Sequence, residues 1–72
     1  MNQKSIIYEV AVFNQAVRDA MKKGERHSFL KDDWATIHWI EVRAYTPVAA
    51  RQKIEVRYPS SRGYVITDIQ EA

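Results

Sequence analysis

The chain contains no cysteine. That absence removes disulfide cross-links, thiolate nucleophiles, iron–sulfur ligation and cysteine-based zinc sites together. A secreted domain this short normally depends on covalent or metal staples, so a reducing, cytoplasmic compartment is expected. Glycine and proline are scarce, with two of each in 72 residues, and no linker, repeat or low-complexity tract interrupts the sequence. Long apolar runs are missing too. The nearest candidate, Ile6 to Phe13, is broken by Glu9 and falls far short of the ~20 residues a membrane-spanning helix needs. The opening residues, Met1 to Ser5, lack the apolar segment of a secretory signal, so neither export nor a membrane partner is expected.

A strong excess of one charge is likewise absent. Eleven basic and nine acidic residues leave a net charge of +2, too small to name a polyanionic partner. Hydrophobic residues make up 46% of the chain, an ordinary globular fraction that argues against intrinsic disorder. The length allows one domain, residues 1–72, which buries only about 60–65% of the surface its unfolded form exposes.

What is present divides into short periodic segments. Ser5 to Val12 alternates, with Ile6, Tyr8, Val10 and Val12 on one side and Ile7, Glu9 and Ala11 on the other, as in a strand. From Phe13 the spacing becomes helical through Ala16, Val17, Ala20 and Met21. Asn14 suits the N-cap, Lys22 and Lys23 the negative C-terminal end, and Gly24 the left-handed position beyond it. Ile6, Val10, Phe13, Val17 and Met21 also share helical spacing, so one long helix from Ile6 to Lys23 stays open as an alternative.

Glu25 to Asp33 reads as a loop, and Trp34 to Tyr45 as a strand rich in aromatic and β-branched residues. Its second half should bury Ile40, Val42 and Ala44 and leave Glu41 and Arg43 in water. Thr46-Pro47 is a cap followed by a proline at the first helical position, which predicts a helix to Arg57 with Ala50, Ile54 and Tyr58 inward. Local alternation over Ile54 to Tyr58 argues for a strand instead; the cap is given priority, and Pro59 ends the element. Ser60 to Gly63 is a turn, and Tyr64 to Ile69 a last strand with Val65, Thr67 and Ile69 on one face. The expected fold is a small two-layer α/β sandwich, with α+β left open, of order β-α-β-α-β, or α-β-α-β under the alternative. It has a three-stranded sheet with two helices on one face. Strand–helix–strand steps favour parallel crossovers, but elements this short leave strand direction open.

Few constellations carry chemistry. His27 and His38, with Asp32 and Asp33 between them, match no dependable metal-ligand spacing. No serine lies in a nucleophile elbow, and alternation sets His38 and Glu41 on opposite faces, so no enzyme, cofactor or metal site is expected. The turn Ser60-Ser61-Arg62-Gly63 lacks the spacing of a phosphate loop. Between Arg43 and Arg62 five basic residues meet one acid, Glu55. Of these, Arg51, Lys53, Arg57 and Arg62 are candidates for nucleic-acid contact, but no nucleic-acid-binding motif occurs and a solvated helix face is the commoner outcome. The aromatic content is more informative. Trp34, Ile37 and Trp39 lie where both faces of a strand are apolar, and helices on one face cover only half of that surface. An apolar patch left over marks a protein-interaction surface, for a homodimer or another protein partner.

Asp33-Trp34-Ala35, Ile40 to Ala44, Ala50-Arg51, Arg57-Tyr58-Pro59 and Gly63-Tyr64-Val65-Ile66 together resemble a pattern in small uncharacterised bacterial proteins. In that pattern an alanine- and arginine-marked helix follows a strand, and an Arg-Tyr-Pro segment leads into the next strand. The resemblance spans residues 24 to 70 and implies strand–helix–strand there. It implies no activity and no functional residue.

Overall fold

The computed structural model describes residues 4–72. The β-forming content at the start prevails over the competing helical spacing: Ile6–Asn14 is a strand, β1, and Gln15–Lys22 a helix, α1. A second strand, β2, spans His38–Ala44, a second helix, α2, Pro47–Arg57, and a last strand, β3, Tyr64–Glu71. Two 3-10 turns, Asp32–Ala35 and Ser60–Arg62, precede β2 and β3. The β-α-β-α-β order and the small α/β architecture are those the sequence predicts.

Strand direction, open at the level of sequence, is antiparallel throughout, in the order β2-β1-β3. β1 is central, and this explains why its apolar side chains run on both faces: Val10, Ala11, Val12 and Phe13 are all buried. Since both neighbours oppose β1, β2 and β3 are parallel to each other, and α2 is the crossover that joins them past the central strand.

α2 covers one face of the sheet. Ala50 and Ile54 meet Tyr8, Val10, Val12 and Ala44, with Ile40, Val42, Ile66 and Ile69 around them. The helix begins where Thr46 Oγ1 accepts the Ala49 N–H at 3.1 Å, with Pro47 just inside. Ile54 to Arg57 is helical, so the capping signal outweighs local alternation.

At the other end of β1, Asn14 turns strand into helix. It is fully buried; its Oδ1 accepts the Val17 N–H at 3.1 Å and its Nδ2 donates to the Arg62 carbonyl at 3.1 Å. The Gln15 N–H donates to the Gly63 carbonyl at 2.7 Å, so the turn before β3 is bolted to the start of α1. Gly63 has φ +94°, and a Cβ there would lie 2.7 Å from Asn14 Oδ1 and 2.9 Å from the Ala16 Cβ. Only glycine fits. α1 ends in a Schellman motif: Gly24 at φ +72° donates to Met21, and Glu25 donates to Ala20.

Two expectations are corrected. Trp34 belongs to the 3-10 turn Asp32–Ala35, not to β2, because Thr36 returns both its N–H and its hydroxyl to the Asp33 carbonyl at 3.0 and 2.7 Å. Val65 and Ile69 fall on opposite faces. A register shift at Ala11/Val12 makes Thr67 an extra residue in β3, and a bulge of one residue reverses a two-residue period. That bulge also bends an edge strand, which discourages unwanted pairing.

α1 packs on the Asp32–Ala35 turn and the start of β3 rather than across the sheet. The molecule is consequently long: 54 × 20 × 15 Å, with a β1 whose nine residues span about 30 Å. Its radius of gyration is 14.0 Å, where a compact chain of this length has about 11 Å. Accessible surface totals 5352 Å², against about 4,600 Å² for a compact monomer of this mass.

Candidate functional site

Opposite α2, the second sheet face carries no further layer among the described residues. β1 gives it Ile7, Glu9, Ala11 and Phe13. The register sets Arg43, Glu41 and Trp39 of β2 against the first three of these, and Gln70, Asp68 and Val65 of β3 against the last three. Trp39 and Ile37 are each 47% exposed and Val65 37%, so three large apolar side chains ring the buried Ala11 and Phe13. Trp39 lies directly across from Ala11, whose small side chain leaves room for a neighbouring indole. The apolar patch occupies the end of the face nearest α1.

Arg18 closes that end. Its guanidinium carbon sits 3.5 Å from the Phe13 ring centroid, and its Nε donates to the Ala35 carbonyl at 2.6 Å. One side chain thus ties α1, β1 and the 3-10 turn together, through a cation–π contact and a charge-assisted hydrogen bond. The middle of the face is acidic. Glu9 and Glu41 are direct cross-strand partners and Asp68 lies one row on. Like charges placed so are mutually unfavourable by about 0.2–1 kcal/mol. Arg43, at the far end, donates to Ser5 Oγ at 3.2 Å.

Of the three residues expected to form an interaction surface, Trp39 and Ile37 are here and Trp34 is not. Trp34 packs on the covered side against Tyr58 and Tyr64, at centroid distances of 5.5 and 5.3 Å, and stacks on His38 at 4.2 Å. These rings touch one another and fill the end of the core. Phe13 and Val65 take Trp34's place on the open face. The sequence hid Val65 behind the bulge and Phe13 behind a helical spacing it does not use.

The basic candidates do not gather. Arg51, Lys53 and Arg57 lie on α2, across the sheet from Arg43. Arg51 Nε is 3.9 Å from Glu55, Lys53 donates to the Arg43 carbonyl at 2.7 Å, and Arg57 lies 5.9 Å from the Tyr58 ring. Arg62 stands apart on its turn, where the Arg62 and Gly63 N–H groups are taken up by the Pro59 and Ser60 carbonyls and so do not form an anion nest. An open groove of about 960 Å³ lies between α1, the loop at 27–30 and this turn, with Phe29, Arg62 and Tyr64 in its walls.

The histidines serve their own neighbourhoods. His27 Nδ1 accepts the Phe29 and Leu30 N–H groups at 3.1 Å, and His38 Nε2 is 3.0 Å from the Asp33 carbonyl. Among the described residues no three His, Cys, Asp or Glu side chains converge as metal ligands, and no helix is long and apolar enough to cross a membrane. No protein-family model, curated protein or solved structure matches the chain.

Proposed function

We propose that this chain is a non-catalytic protein-interaction module of a reducing, cytoplasmic compartment, working through its open sheet face. The observation that carries the reading is a half-exposed Trp39 beside Ile37 and Val65, on a sheet face without a second layer among the described residues. Antiparallel sheets do tolerate one wet face, but such faces are ordinarily polar. Here one end is apolar and rimmed by charge, the composition of a docking patch with a polar margin. Half the surface of an indole left in water forgoes on the order of 1 kcal/mol of burial that a partner would recover.

A photo-crosslinking amino acid installed in the intact chain at position 39 tests this in the native host. A discrete protein adduct from position 39, absent from the same probe at Val56 on the outer side of α2, is the expected result. Equal labelling from both positions, or no adduct from position 39, overturns the reading.

A further inference from the structure

The charge pattern of the open face continues onto α1, and together the two make a surface that matches itself. Along the molecule's long axis, the acidic trio of Glu9, Glu41 and Asp68 comes first, followed by the apolar group of Trp39, Phe13, Ile37 and Val65. Arg18 then lies over Phe13, and Lys22 follows four residues later on the same helical stripe, with Lys23 next to it. Met21, 47% exposed, adds apolar surface at this end. Glu9 lies four residues before Phe13, about 13 Å along the strand. Lys22 lies nine residues beyond Phe13, eight of them helical, and so at most about 15 Å from it, past the end of β1 remote from Ile6. In chain order the apolar group therefore falls between an acidic and a basic segment.

Resting on the docking face proposed above, we infer that its occupant is a second copy of this chain. Two copies pair antiparallel about a two-fold axis that passes by the exposed Trp39 and Val65, and α1 of each lies on the acidic half of the other's sheet. A two-fold interface must be self-complementary, and a surface ordered acidic, apolar, basic becomes so when reversed upon itself. The arrangement gives Glu9 and Glu41, which repel each other across strands, the lysines of the partner's helix as counter-charges. It also gives the exposed side of α1, which carries Met21, Lys22 and Lys23, a surface to pack on. The elongated chain exposes 5352 Å², against roughly 4,600 Å² for a compact monomer of its mass, so it has surface to spare for the ~800 Å² each partner contributes to a standard interface. Arg43, at the outermost end and hydrogen-bonded to Ser5, lies beyond the reach of the partner's Lys22.

Sedimentation equilibrium of the full chain from 5 to 500 µM, with charge-reversed variants, decides the matter. The expected result is a species of twice 8.4 kDa whose association weakens at least tenfold as salt is raised. Glu41→Lys alone and Lys22→Glu with Lys23→Glu alone are each expected to associate at least about tenfold more weakly than wild type, since the first cuts the acidic half from three negative charges to one and the second leaves both halves negative. An equimolar mixture of the two is expected to form a heterodimer. All three positions are exposed, and unchanged far-ultraviolet circular dichroism shows that each variant folds. A wild-type chain that stays monomeric at 500 µM, or a mixture that does not pair, overturns self-association. If position 39 nevertheless crosslinks to a different protein, the docking face stands and only this occupant falls. If it crosslinks to nothing, both readings fall.

Discussion

Replacing Asn14 with alanine leaves the surface of the molecule untouched and removes two buried hydrogen bonds, one to the Val17 N–H and one to the Arg62 carbonyl, each 3.1 Å long. Losing an N-cap costs about 1 kcal/mol. Stranding a part-buried carbonyl at the base of β3 costs a further 1–2 kcal/mol or so. The sum is about 2–3 kcal/mol, against a total stability of roughly 4–11 kcal/mol for a chain of this length. Urea denaturation followed by far-ultraviolet circular dichroism reads the difference directly. With a slope of about 1 kcal/mol per molar for so small a domain, the midpoint falls by about 2–3 M. Asn14→Asp keeps the acceptor for Val17 but sets a carboxylate oxygen where the amide donated to Arg62. It should lose about 1–2 kcal/mol, through β3 rather than through α1. A midpoint for Asn14→Ala within 0.5 M of wild type would refute the assignment of Asn14 as the joint between β1, α1 and β3.

The two glycines should part company. Gly63→Ala places a Cβ 2.7 Å from Asn14 Oδ1 at φ +94°, and is expected to cost at least ~2 kcal/mol. Gly24→Ala, at φ +72° with open space around it, should cost only about 1 kcal/mol, and equal thermal shifts in the two would contradict this. Arg18→Lys retains charge but loses the planar group over Phe13 and the Nε–H···O bond to Ala35, so a loss of about 1 kcal/mol by chemical denaturation is expected. Glu9→Gln removes one member of a like-charged cross-strand pair; the monomer should gain a few tenths of a kcal/mol at neutral pH while self-association weakens. A stability change and an association change of the same sign would argue against the acidic face as a partner's counter-surface.

The features readable in the sequence are those whose cause is local. Asn14, Gly24 and Thr46-Pro47 act through backbone groups within a few residues, and each holds the position its chemistry suggests. The alternation of Ile40 to Ala44 survives because β2 is paired in simple register and covered on one side only. What the sequence concealed depends on distant partners. Strand propensity at Trp34 yields to a turn in which the indole reaches Tyr58 and Tyr64, residues from other elements. The bulge at Thr67 follows from pairing with Ala11 and Val12 and leaves no mark in the local pattern. The candidate surface was accordingly half legible: Ile37 and Trp39 from apolar content on both sides of one segment, Phe13 and Val65 only once register was known.

Placing the earliest strand in the middle also sets the tempo of assembly. Tyr8 pairs with Glu71, 63 positions away, so one flank of the sheet closes only when the chain has brought its far segments together. Contacts of such span make for slow folders, on the scale of milliseconds to seconds, because closure entropy is spent before pairing repays it. Until β3 arrives, β1 offers an unpaired edge flanked by valines, and any neighbouring nascent copy can dock there first. Yield on refolding should therefore drop with concentration far more steeply than the stability of the finished molecule suggests.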